Sequence, residues 1–511
     1  MVLIYLITLF FLNFFLWQGL KGIFFEKLGP LNLEIIGDQW SLRFFSLLRL
    51  ISGSVFCWSY YYIDSEMNYR RFLSLVISFV SSIILLIFFS SLFGALIGWD
   101  GLGVTSFLLV IYFKNRKSLG RGIITALTNR LGDGFLLVLL SLRLFPGNPS
   151  YLITILLILT AMTKSAQFPF SSWLPAAIAA PTPVRALVHS STLVTAGIYL
   201  LIRFNHFNTE WLIVLGSVTI VIAGFCACAE IDIKKIVALR TLSQLGVIVV
   251  GLSLTLKNLC FFHLITHAMF KALLFICVGV GIHTIFGRQD FRSFSVLNKI
   301  SAWPTFFLVI SNFSLLGFPF LSGFFRKDRI LESFYNHNIS GFMLIIFILG
   351  VGLTTSYRIK ITNLALFSYN TESPGRLCGG GTNWQVKIPL IILGIFSIFG
   401  GFLLSRNYWA STPIIRISDK VIPLMGIIVG VLIGFGVSNL KFAFFSSIWN
   451  LTPQYQNRSS LSTSMRNSYE IDGGWIELSG GPGYFRFLKI ISEIIQPILS
   501  LSLLMLIPFF F

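Results

Sequence analysis

Apolar runs of near-bilayer length follow one another along almost the whole chain. They fall at residues 3–17, 44–63, 73–93, 95–113, 123–142, 152–170, 184–204, 211–229, 236–254, 259–286, 303–325, 342–357, 388–404, 421–440 and 497–511. A hydrocarbon core about 30 Å thick is crossed by about 20 apolar residues in helical form. The pattern therefore predicts an all-α integral membrane protein with about 15 transmembrane helices. It changes only near the end, where residues 452–483 are polar, rich in Ser, Asn and Gly, and contain Asp472-Gly473-Gly474-Trp475. Residues 484–496 then mix Arg486 and Lys489 with Phe485, Phe487, Leu488 and Ile490. That mixture suits an amphipathic helix lying along the membrane surface, and equally a solvated linker.

Two of the runs carry helix breakers. Pro169, Pro175, Pro181 and Pro183 cluster around one, and Pro319 and Gly323 interrupt another just before Lys327. Discontinuous helices at membrane depth line cavities, because the freed backbone groups need partners. The two interruptions lie about 160 residues apart, the arrangement of a duplicated transporter core.

Composition sharpens the picture. Of 511 residues, 55% are hydrophobic and only 11% charged, against about 25% charged in soluble domains. The net charge of +19, from 38 Lys+Arg against 19 Asp+Glu, could serve nucleic acid. The basic residues instead sit mainly in short loops beside the apolar runs, as at residues 114–121 and 288–299. That is the positive-inside pattern; it places the N-terminus and the loops after even-numbered runs on the inner side, with residues 326–329 as the exception. The first run lacks a basic leader and a cleavage site, so it reads as a retained helix. The six Cys form no Cys-x-x-Cys pair, and no Walker loop or strand-linked Gly-x-Gly-x-x-Gly occurs. No metal, iron–sulfur cluster, NAD, flavin or ATP is expected in this chain.

Ionisable residues inside the apolar runs are the candidates for chemistry, since each costs about 2.5–3.5 kcal/mol on insertion scales. His263, His267 and Lys271 are spaced i, i+4, i+8, which puts all three on one helical face. Such a stripe outlines a proton path; the alternative is polar glue between helices. Thr125, Asn129 and Asp133 repeat the spacing, with Arg130 beside them as a structural ion-pair partner for Asp133. Asp100 lies in Gly98-Trp99-Asp100-Gly101, Lys164 follows the apolar run 151–162, and His189 opens His189-Ser190-Ser191-Thr192. Desolvation favours the neutral form of a buried lysine and a nearby carboxylate favours the charged form. A lysine whose carboxylate partner moves is therefore a proton switch that needs no redox centre.

Taken in order, Gly98-Trp99-Asp100-Gly101-Leu102-Gly103, Asn129-Arg130-Leu131-Gly132-Asp133, Lys164-Ser165-Ala166-Gln167, Trp173-Leu174-Pro175, Pro181-Thr182-Pro183-Val184 and His189-Ser190-Ser191-Thr192 form a recognisable set. Asp232-Ile233-Lys234-Lys235, Ser243-Gln244-Leu245-Gly246, His267-Ala268-Met269-Phe270-Lys271 and Gly323-Phe324-Phe325-Arg326-Lys327-Asp328 extend it. The chain resembles the NADH dehydrogenase subunit 5 family, antiporter-like membrane subunits of respiratory complex I. The match is dense over residues 69–332 and holds only in outline at the ends.

The resemblance implies two inverted repeats with discontinuous helices, a C-terminal amphipathic lateral helix that braces neighbouring antiporter-like subunits, and a terminal transmembrane helix. Residues 1–70 would be N-terminal transmembrane helices and 71–370 the proton-translocating core. Residues 371–450 would add further transmembrane helices, and 451–511 the polar loop, lateral helix and last span. It implies an Asp100–Lys164 pair, continued by His189, His263, His267 and Lys271 and ended by Lys327 and Asp328, with Asp133 on the same axis. It implies the mitochondrial inner membrane, membrane-arm partner subunits and lipids including cardiolipin. NADH, flavin, iron–sulfur clusters and ubiquinone would belong to partner subunits. An independent cation/proton antiporter and a purely structural membrane subunit are the alternatives. The chain departs from the family in carrying Asp100 for the usual Glu, and Arg185, Arg240 and Arg326 where relatives often have Ser. A mitochondrial code that reads AGA and AGG as Ser and ATA as Met would account for those Arg and for the low Met count of 8.

Overall fold

The computed structural model describes residues 23–28, 33–63, 68–144, 150–188, 192–204, 211–230, 232–285, 287, 289, 294, 301–318, 321–323, 341–366, 383–408, 425–426 and 428–434. The expected first span, the lateral helix, the terminal span and most of run 421–440 lie outside the described residues.

A two-stranded antiparallel ribbon, β1 (Ile23–Leu28) and β2 (Leu33–Gly37), comes first, with Ile23 opposite Gly37. The hydrophobic pattern had not foreseen it. The rest is helical. Helices α1 (Gln39–Tyr62), α2 (Tyr69–Phe88), α3 (Leu92–Val110), α4 (Arg116–Leu144) and α5 (Ser150–Lys164) are followed by the single turn α6 (Trp173–Ala176) and a 3-10 turn (Ala177–Ala179). Then come α7 (Thr182–Val188), α8 (Leu193–Phe204), α9 (Trp211–Ala229), α10 (Ile233–Ser253) and α11 (Lys257–Thr284). The last are α12 (Ala302–Leu316), α13 (Gly341–Leu366) and α14 (Trp384–Tyr408).

Among the described residues nine helical stretches are long and apolar enough to cross a membrane, and α5 and α12 are shorter apolar helices. Twelve of the fifteen apolar runs thus carry one of these helices, and residues 425–426 and 428–434 of a thirteenth are helical as well. Backbone groups in lipid must pair within their own segment, so an apolar run of this length has little choice but helix.

Burial separates centre from rim. The apolar windows of α10 and α11 are 100% buried, whereas that of α4 is 28% buried and that of α2 39%. Helix α11 packs against α1, α7, α10, α12 and α14, which encloses it on every side. Small residues permit the close crossings. A Cβ at Gly98 would lie 2.6 Å from the Leu86 backbone nitrogen, and one at Gly197 would lie 2.5 Å from the Ala161 carbonyl oxygen. These contacts seat α3 on α2 and α8 on α5.

Both expected interruptions coincide with helix ends. Helix α5 stops at Lys164, followed by Ala166 at φ 55 and a cis peptide bond before Pro169, and the chain resumes regular helix only at α7. Helix α12 stops at Gly317, whose φ of 81 is the left-handed cap that glycine adopts without a Cβ clash. Gly323 then comes so close to α12 that a Cβ there would lie 1.7 Å from the Ser314 carbonyl oxygen.

Candidate functional site

The stripe on α11 is at the centre of the protein. His263 is 1% exposed, and His267 and Lys271 are 0% exposed. The His263 and His267 rings lie 6.3 Å apart, and His267 meets the Phe270 ring edge-on at 5.5 Å. One helix therefore holds three titratable groups in register, one per turn, inside the most enclosed element of the fold.

A second cluster forms where α3, α4 and α5 meet. Lys164 is wholly buried; its ammonium donates to the Trp99 carbonyl and sits 4.0 Å over the Trp99 ring. Arg130 donates to Asp100 at 2.9 Å and to Asp133 at 3.4 Å, bridging two carboxylates. The side chains of Arg130 and Asp100 are 61% and 46% exposed, that of Asp133 only 14%. The Arg130–Asp133 pair expected from the spacing is thus present.

The expected Asp100–Lys164 pair is not formed; among the described residues no carboxylate lies within 4 Å of the Lys164 ammonium. The cause is helix phase. Consecutive residues on a helix differ by about 100° in direction, and Trp99, at 1% exposed, takes the inward position. Asp100 is thereby turned toward the rim and to Arg130. Asp133, the less exposed of the two carboxylates, lies on α4, the helix that packs against the helix of Lys164. It is brought there by a tight crossing: a Cβ on Gly132 would lie 2.2 Å from Thr163 Oγ1, one residue before Lys164. Thr125 and Asn129, 2% and 3% exposed, continue the Asp133 face inward. Thr125 lines a small cavity with Ser106, Trp173 and Val184.

Some participants were not legible in the sequence. Trp99 supplies both the carbonyl and the ring that hold Lys164; its place between Gly98 and Asp100 was the only signal. Gln167, just past the break, accepts from Thr219 of α9 at 2.8 Å. Arg240 donates to Asn312 at 2.9 Å, and both it and Arg358 lie over the Tyr357 ring. Arg185 folds back on the Ala180 carbonyl, at 3.0 and 2.8 Å. None of these three buried guanidiniums has a carboxylate within 4 Å among the described residues. His189, Lys327, Asp328 and Arg326 lie outside the described residues.

Buried lysine and histidines on unbroken and broken apolar helices define the class: an antiporter-like membrane subunit. Comparison with known proteins agrees. The family model "NADH:quinone oxidoreductase/Mrp antiporter, TM" matches residues 89–354, and "NADH dehydrogenase subunit 5 C-terminus" matches residues 364–511. NADH-ubiquinone oxidoreductase chain 5 of Anopheles gambiae is 38% identical, over 96% of this chain and 92% of that one. The chains of the same name from Locusta migratoria and Lumbricus terrestris are each 39% identical, over 91% and 89% of this chain and 87% and 85% of theirs. Among solved structures, the Mrp complex from Dietzia sp. DQ12-45-1b aligns with a TM-score of 0.72 at 20% identity, covering 98% of this chain and 60% of that one. The archaeal membrane-bound sulfane sulfur reductase aligns with a TM-score of 0.69 at 18% identity, covering 85% and 92%. These two likenesses concern the fold. The chain belongs to the NADH dehydrogenase subunit 5 family.

Proposed function

We propose that this chain translocates protons as a membrane subunit of NADH:ubiquinone oxidoreductase in the mitochondrial inner membrane, driven by quinone reduction in partner subunits. The observation that carries this reading is the stripe of His263, His267 and Lys271, three titratable groups at 1% exposure or less on the best enclosed helix. Burying such groups is unfavourable and polar glue does not require a lysine, whereas a proton path does.

Lys164 and Asp133 form the switch. Lys164 is held through a carbonyl and an aromatic face, neither of which competes as a full negative charge. Its proton affinity then follows the carboxylate field, which Arg130 divides between Asp100 and Asp133. Motion of Arg130 toward Asp100 releases Asp133 to act on Lys164; motion the other way quenches it. The stripe on α11 passes the proton on, and His189, Lys327 and Asp328 are assigned as further relay groups on the family resemblance alone. The remaining partners are neighbouring membrane subunits, with lipids such as cardiolipin along the rim. NADH, flavin, iron–sulfur clusters and ubiquinone are assigned to those partner subunits.

The test is Lys271→Met in the assembled complex, reading protons moved per NADH oxidised. Loss of pumping with intact assembly is expected. Normal pumping would overturn the reading and leave a structural subunit. Cation/proton exchange by the isolated chain in liposomes would favour an independent antiporter instead.

A further inference from the structure

From Lys271 the i+4 series continues through Phe275 and Gly279 to His283, winding about 40° round α11 at each step. Helix α11 has 28 residues, about 42 Å of helix, longer than a hydrocarbon core of about 30 Å. Lys271 is therefore near mid-depth, and His283, in the last turn, lies at the aqueous boundary. His283 is exposed, and its ring packs on Tyr61 at 5.2 Å and Tyr62 at 5.9 Å.

Between the two lies a feature that packing alone does not explain. At Gly279 two elements converge on α11. A Cβ there would lie 2.4 Å from the Trp58 six-membered ring and 3.4 Å from Thr182 Oγ1. Trp58 is 0% exposed and Thr182 4%, yet among the described residues the Trp58 indole nitrogen and the Thr182 hydroxyl both lack a hydrogen-bond partner. Leaving a buried polar atom unpaired is unfavourable, and here a donor from α1 and a donor–acceptor from α7 meet over one glycine. Trp58 in turn stacks toward Tyr62 at 5.3 Å, and Tyr62 toward His283. Polar groups with unused bonding capacity thus lead from the exposed histidine inward to Gly279, two turns of α11 from Lys271.

Resting on the reading of α11 as a proton path, we propose that His283, Trp58 and Thr182 form the mouth of that path, joining Lys271 to one membrane face. His283 exchanges protons with bulk water. The Trp58 indole N–H and Thr182 hydroxyl hold the water that carries them past Gly279, where any larger residue would close the way. Phe275, 4% exposed, fills the turn between Gly279 and Lys271. That apolar turn is the barrier a pump needs against back-leak, since hydrophobic constrictions gate by dewetting.

The experiment uses the whole complex reconstituted in liposomes, with NADH-driven proton uptake as readout and assembly checked by subunit content. His283→Ala is expected to slow pumping by about tenfold, less than the full contribution of a positioned proton-transfer group because water substitutes in part. External imidazole should restore it, which a structural role would not allow. Thr182→Val, nearly isosteric, should also slow pumping, without imidazole rescue. Normal pumping in His283→Ala while Lys271→Met is inactive would overturn this mouth and leave the pump reading intact. Loss without imidazole rescue in a fully assembled His283→Ala complex would overturn it as well. Normal pumping in both His283→Ala and Lys271→Met would remove the pump reading and this inference together.

Discussion

The crossing of α4 and α5 offers a quantitative test of how the Lys164 switch is built. In Gly132→Ala the new Cβ would stand 2.2 Å from Thr163 Oγ1 and 3.2 Å from Thr163 Cβ. Ordinary contact begins near 3.5 Å, so the two helices must part by more than about 1 Å. Thr163 cannot simply turn away. Its hydroxyl donates to the Thr160 carbonyl at 2.7 Å, and a β-branched side chain has little χ1 freedom in a helix. Overpacking of this kind costs about 1–3 kcal/mol, which the fold can absorb. The functional effect is larger than the stability effect, because Asp133 and Lys164 are the neighbours of the two clashing residues. A displacement of about 1 Å at a reacting constellation costs about a hundredfold in rate. Gly132→Ala should therefore assemble and oxidise NADH with pumping reduced by about tenfold to a hundredfold. Adding Thr163→Ala removes the 2.2 Å contact and leaves only the 3.2 Å one, so the double variant should recover most of the pumping. The assay is proton uptake per NADH in reconstituted complex, normalised to subunit content. Normal pumping in the single variant, or no recovery in the double, would show that this crossing does not position the switch.

Two further outcomes follow from the same geometry. Asp133→Asn should impair pumping more than Asp100→Asn, because Asp133 is the more buried and lies beside the Gly132–Thr163 crossing, whereas Asp100 answers to Arg130 at the rim; equal or reversed effects in proton uptake would contradict the assignment. Arg185, Arg240 and Arg358 are each 2% exposed or less with no carboxylate within 4 Å among the described residues, and a buried ion without a counter-charge costs several kcal/mol. Peptide mass measurement on the purified chain should find Ser at 185, 240 and 358, and at 326, under a code that reads AGA and AGG as Ser; Arg at these positions would dismiss that account.

Much of the architecture is legible in residue order alone. Lipid leaves an apolar run no alternative to helix, so run length located twelve described helices, and proline and glycine located both breaks. The His263–His267–Lys271 stripe was equally readable, because i, i+4 spacing fixes a shared face whatever surrounds the helix. The ribbon Ile23–Gly37 was not, since it is too short and mixed in polarity to stand out beside long apolar runs.

What residue order could not decide was which charge meets which. Asp100 and Asp133 are both carboxylates within apolar runs, and the family resemblance favoured Asp100 for Lys164. Only the rotation of α3 turns Trp99 onto the lysine and Asp100 outward to Arg130, and only the glycine-permitted crossing at Gly132 and Thr163 brings the helix of Asp133 against that of Lys164. Helical periodicity is a property of one segment and can be read from it. The facing of two segments depends on every side chain between them, and it exists only once they are packed.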